Sequence, residues 1–205
     1  MPRPTAFIST LVLLLSLSSP VLQAADAKGA FALRGPGALN CADFVQARKQ
    51  KDGGRDFLLW VDGYLSALNL TSRDTFDLLP WGNESYLALL LEGHCKRHPK
   101  QPFHIAVNKL LEGLSEWRIR QRSPQIEARR SGAKVLIYQE TLRRLQARLK
   151  EMSLYRGREH GRYDNATAEA VERFQRQRGL PATGLPDNMT LHVLFLERDT
   201  SKKSQ

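Results

Sequence analysis

The stretch from Glu140 to Glu197 constrains the fold of this 205-residue chain most, because its apolar beat is interrupted twice by glycines and capping residues. Leu142, Leu145 and Leu149 recur at three and four residues, opposite Arg143, Arg144, Arg148 and Lys150. That spacing predicts a helix with one face that must be buried. Gly157 and Gly161 break the pattern, and Asp164 or Asn165 can accept backbone N–H bonds at the start of a second helix with Ala170, Val171 and Phe174 inward. Gly179 suits the left-handed position after the last turn, and Leu180 can fold back on the apolar side as in a Schellman ending. A turn with Pro181, Gly184 and Pro186 follows, Asp187 can cap a third helix, and Leu191, Leu194 and Phe195 give it an apolar face. Three short helices over one core are predicted for residues 135–198.

Within that segment Leu145-Gln146, Tyr155 to Gly157, Thr167, Ala170-Val171, Phe174-Gln175 and Gly179-Leu180 follow in order, and Thr183-Gly184 and the Asp187, Thr190, Leu194 spacing extend the series. The series resembles the peptidoglycan-binding domain family. The family usually places aspartate-glycine, then an aromatic and glycine, before the second helix. Here His160-Gly161 and Tyr163-Asp164 stand instead, so that turn is expected to be altered. The resemblance implies a shallow groove taking stem peptide or glycan. Tyr155, Tyr163, Asn165 and Gln175 are its candidate lining residues, and Arg158 or Arg162 the partners of stem-peptide carboxylates.

The start of the chain reads as a secretory leader, residues 1–27: Arg3, an apolar run from Ala6 to Leu17, Pro20, and small residues at Ala24, Ala25 and Ala27. Cleavage after Ala24 and cleavage after Ala27 both remain open. The run is short for a membrane span, and no later run is long enough for one. A periplasmic or secreted location is expected.

Residues 39–117 are predicted to form a second helical domain. Cys41 opens a short helix, Asp52-Gly53-Gly54 ends it, and Asp56 to Leu70 carries a stripe of Leu59, Trp60, Tyr64, Leu65 and Leu68, with Gly63 offering a close helix approach. Glu84 to His94 and Phe103 to Trp117 supply two more helices. The overall expectation is all-α: a disulfide-stapled bundle followed by a three-helix module. An even cysteine count in an exported chain favours pairing Cys41 with Cys95. The sharper alternative is a metal site from His94, His98 and His104 around Cys95, but their spacing matches no standard zinc pattern, so none is assigned. Cys41, the Trp60 to Asn69 run with Gly63-Tyr64, and Cys95 followed by Pro99 resemble the small periplasmic proteins of the HdeA/Rap1a type, acid-stress chaperones and toxin-immunity proteins.

Residues 118–134 read as a basic, hydrophilic linker, kept extended by self-repulsion unless Ile119 and Ile126 pack down, and usable as an electrostatic foot on anionic polymer. The formal charge of +10 is unchanged by removing residues 1–27, because Arg3 and Asp26 leave together. Nucleic acid is not an expected partner, since no finger or RNA-binding motif occurs. No zinc-peptidase His-Glu-x-x-His, nucleophile elbow or transpeptidase-like cysteine context is present, and Glu159-His160 is the one acid–histidine pair of note. No catalytic residues and no cofactor are assigned. The reading is a non-catalytic exported protein that binds peptidoglycan and uses its N-terminal bundle to contact another periplasmic protein. Its alternatives are a wall-localised stress chaperone or inhibitor, and an accessory part of a wall-hydrolase system.

Overall fold

Cys41–Ala47 (α1), Arg55–Thr71 (α2), Glu84–Arg97 (α3) and Phe103–Leu114 (α4) build the first half of the fold, and their starts have local causes. Asn40 and Asp43 form a capping box at α1. Gly54, left-handed, turns the chain into α2, and the Asn83 side chain accepts the Tyr86 N–H at 3.0 Å to open α3. The computed structural model describes residues 26 and 28–196. The expected leader features Arg3, the run from Ala6 to Leu17, and the cleavage positions Ala24 and Ala27 lie outside the described residues. The chain divides after Leu33, and the remainder from Arg34 onward forms one unit.

The bundle closes on a disulfide between Cys41 and Cys95, both fully buried, which joins α1 to α3. Beside it Phe44, Phe57 and Phe103 pack with ring centroids 4.9 to 5.4 Å apart, the Phe57–Phe103 pair edge-on. Phe57, Leu58, Val61 and Leu65 are the buried face of α2, whereas Leu59 of the expected stripe is 54% exposed. Gly63 is exposed, and a Cβ placed there would meet nothing within 4 Å, so no helix packs closely against it. The close approach is at Gly37, in the 3-10 turn Gly35–Ala38, where a Cβ would fall 1.9 Å from the Trp60 ring. His94 faces the Gln101 side-chain oxygen and His104 the Gly37 carbonyl.

The all-α expectation needs correction between the two helical regions. Gln125–Arg130 (β1) and Ala133–Tyr138 (β2) pair antiparallel, with Arg130 opposite Ala133. Ser131 and Gly132 both have positive φ, 49° and 82°, the backbone of a two-residue I′ turn matched to strand twist. Ile126 and Ala128 face Val135 and Ile137 on the inner side, and Ala128 is fully buried. On the outer side Glu127 pairs with Arg129 and with Lys134, offsetting the like charges that sequence reasoning expected to hold the segment open. Ile119 is also fully buried, and its backbone bonds both ways with Asp77, at 2.8 and 3.0 Å. The segment is therefore anchored, not extended.

Gln139–Glu151 (α5), Asn165–Gln177 (α6) and Asn188–Leu196 (α7) form the predicted three-helix module. Leu142, Leu145, Leu149, Ala170, Val171, Phe174, Leu191 and Leu194 are its core. That core continues into the bundle through Trp81, Tyr86 and Leu114. Phe195 lies between Trp81 and Trp117, with centroids 5.1 and 4.4 Å away, and Tyr86 Oη sits 2.8 Å from His192 Nδ1. Tyr138 donates its O–H to Asp77 at 2.7 Å; burial first, and then the Asp77 carboxylate, push its pKa up to about 12. Among the described residues no helix is long and apolar enough to cross a membrane.

Candidate functional site

The module is held by two copies of one polar staple. Gln146, fully buried on α5, accepts the Gly161 N–H at 2.9 Å and donates to the Arg162 carbonyl and the Thr167 hydroxyl, each at 2.9 Å. Gln175, fully buried on α6, accepts the Gly184 N–H at 2.7 Å and donates to the Leu185 carbonyl and the Thr190 hydroxyl, each at 2.9 Å. In both copies an aspartate three residues after the glycine caps the threonine three residues further on: Asp164 to Thr167, and Asp187 to Thr190, both at 2.8 Å. The repeat explains why the leucine-glutamine and phenylalanine-glutamine pairs occur where they do. Each amide fixes a turn and the first turn of the next helix, with no buried side-chain donor or acceptor left unpaired among the described residues.

The turn from His160 to Asp164 keeps this geometry despite its departure from the family pattern. Gly161 and Gly184 adopt φ of 67° and 72°. A Cβ on Gly161 would lie 2.7 Å from the Gln139 carbonyl oxygen, and one on Gly184 would lie 3.0 Å from that of Ala168, so glycine is required by space as well as by φ. His160 Nδ1 accepts the Arg162 N–H at 3.0 Å, which leaves Nε2 to donate to Asp164 at 3.2 Å. Glu159 pairs with Lys150 at 2.6 Å, and that contact holds its carboxyl below the usual range. The Glu159-His160 pair is thus divided between two different partners.

The six residues singled out for ligand contact fall into two groups. Tyr155 is 3% exposed and donates its O–H to the Arg158 carbonyl, while Gln175 is committed to the second staple. Tyr163 is half-buried and donates to the Gly184 carbonyl at 2.9 Å, so it meets Gln175 at that glycine. The Arg158, Arg162 and Asn165 side chains stand exposed around the first turn.

A basic pocket that no local motif announces lies beside the same turn. It encloses about 530 Å3 between residues Arg120 to Pro124 on one side and Gln139, Glu140, Arg143, Arg144 and His160 on the other. The first wall is fixed to α5: Gln139 N–H donates to the Pro124 carbonyl, Glu140 N–H to the Ser123 hydroxyl, and Arg144 to the Trp117 and Arg118 carbonyls. Glu140 holds both Arg143 and Arg144 at 2.8 Å. Burial works to raise its pKa, but the two guanidiniums outweigh it and set the carboxyl below the ordinary range. The signal was the arginine cluster at positions 118–122, whose wall function needs Ile119 to be buried.

Neither the curated proteins nor the solved structures gave a match to this chain. A family match is confined to the C-terminal part and does not extend into the bundle. Residues 138–194, 57 of the 205, match the family described as "Putative peptidoglycan binding domain", and that span coincides with the stapled three-helix unit.

Proposed function

We propose that this chain is a non-catalytic, exported protein that docks on peptidoglycan through residues 138–194, and that its disulfide-closed bundle contacts a second protein. The observation that carries the reading is the family match over a module whose core and both glutamine staples are complete. A disulfide and a peptidoglycan-binding domain both suit a location outside the cytoplasm. The exposed residues Arg158, Arg162 and Asn165, with the edge of Tyr163, are the parts of the predicted contact set still able to reach a ligand.

Pelleting of the full-length protein with purified sacculi tests this. Co-sedimentation that persists at high salt is expected. Absence of pelleting sinks the reading, and pelleting lost on salt addition reduces it to general charge attraction.

A further inference from the structure

We propose that the basic pocket between residues 120–124 and α5 is the subsite for a free carboxylate of a peptidoglycan stem peptide, an assignment that rests on the wall-binding reading above. Four arginines and one carboxylate line it. Glu140 engages Nε and Nη2 of Arg143 and Nε of Arg144, while Nη1 of Arg144 is taken by backbone carbonyls. Each guanidinium thereby keeps N–H donors for a further acceptor, since arginine carries five. Arg120 and Arg122 are exposed and form no ion pair among the described residues, so their charge is available to an incoming anion. Ser123 accepts the Glu140 N–H, which leaves its own O–H to donate.

The occupant follows from the walls. Planar guanidinium forks bind a carboxylate through paired N–H bonds, and the amide side chains of Gln121 and Gln139 suit the peptide group next to it. About 530 Å3 is in the size range of small-ligand sites and takes the end of a peptide, not a polymer strand. Because both walls are hydrogen-bonded to each other before any ligand arrives, little ordering cost remains to be met on binding. The pocket is composite: Gln139, Glu140, Arg143, Arg144 and His160 fall within the matched domain, whereas Arg120 to Pro124 lie outside it. The connector that looked like a spacer thus supplies half of the subsite.

The test uses the full-length protein, with the double variant R120A/R122A and the charge-matched control K49A/K51A in the bundle. Removing two charge-assisted contacts is expected to weaken sacculus binding by about tenfold or more, with the circular dichroism spectrum unchanged and the control within about twofold of the parent. A soluble stem peptide with a free terminal carboxylate should compete at about tenfold lower concentration than the same peptide amidated there. Parent binding that R120A/R122A retains in full overturns the subsite and leaves the wall reading intact. Failure of the parent to bind removes the wall reading itself. Equal competition by the amidated peptide, or by inorganic phosphate at the same concentration, overturns the carboxylate assignment.

Discussion

Phe195→Ala tests whether the bundle and the module unfold as one body. The ring lies half-buried between Trp81 and Trp117, at 5.1 and 4.4 Å, and Trp81 is itself 6% exposed within the shared core. A fully buried phenylalanine cut to alanine costs about 3–5 kcal/mol. Half-burial reduces the transfer part, while loss of two ring pairs worth about 0.5–1.5 kcal/mol each restores some of it, giving about 2–3 kcal/mol. In a protein of this size that lowers Tm by about 4–12 °C. Amide hydrogen exchange gives the decisive reading. If the core is continuous, α1 to α4 and α5 to α7 lose protection together, although residue 195 lies on α7 alone. Lost protection restricted to α5–α7, with the bundle amides unchanged, would refute the argument that these aromatics join the halves energetically.

Three further outcomes follow from the same geometry. Cys41→Ser/Cys95→Ser opens a staple spanning 54 residues and should cost about 4 kcal/mol in the chain-entropy description, read as a lower urea midpoint. Gln146→Leu removes the acceptor of the buried Gly161 N–H and the donor to Arg162 and Thr167; with the apolar gain of leucine set against it, a loss of about 2–4 kcal/mol is expected, again by urea titration. The Glu140 and Asp164 carboxyls have folded pKa values below their ordinary 4.5 and 3.8: burial opposes this, but Arg143 and Arg144 prevail at Glu140, and Thr167 and His160 at Asp164. The unfolded chain therefore takes up protons first on acidification, so their contribution is present above the ordinary values and disappears as pH falls through the lower folded ones. Tm should fall over that acid range, and Glu140→Gln should make the fall shallower.

Local chemistry made most helices readable. Asp164 and Asp187 accept N–H bonds where capping was expected, and at Gly179 the Leu180 N–H reaches back to the Gln175 carbonyl at 2.9 Å as a Schellman ending requires. The Cys41–Cys95 pairing was likewise anticipated from cysteine count and compartment. The hairpin was hidden because four charged residues, Glu127, Arg129, Arg130 and Lys134, stand out in its composition, while its alternation rests on only Ile126, Ala128, Val135 and Ile137 around Ser131-Gly132. Two candidate contact residues, Tyr155 and Gln175, also read differently in place. An aromatic and an amide are equally suited to a ligand and to a buried staple, and only packing distinguishes the two uses.

Short-range features were legible in the residues themselves: where helices start and stop, which faces are apolar, and the ordered glutamine, glycine, aspartate and threonine positions that carry the resemblance to the peptidoglycan-binding domain family. Each depends on residues within a few turns of one another, so periodicity and capping suffice to find it. Tertiary structure alone decided what lies across long separations: Phe195 against Trp81 and Trp117, Tyr138 against Asp77, and Arg120 and Arg122 facing Arg143 across one pocket. Those contacts arise because burying Ile119 and Ala128 folds a highly charged segment down onto the module, and no local pattern of charges contains that information.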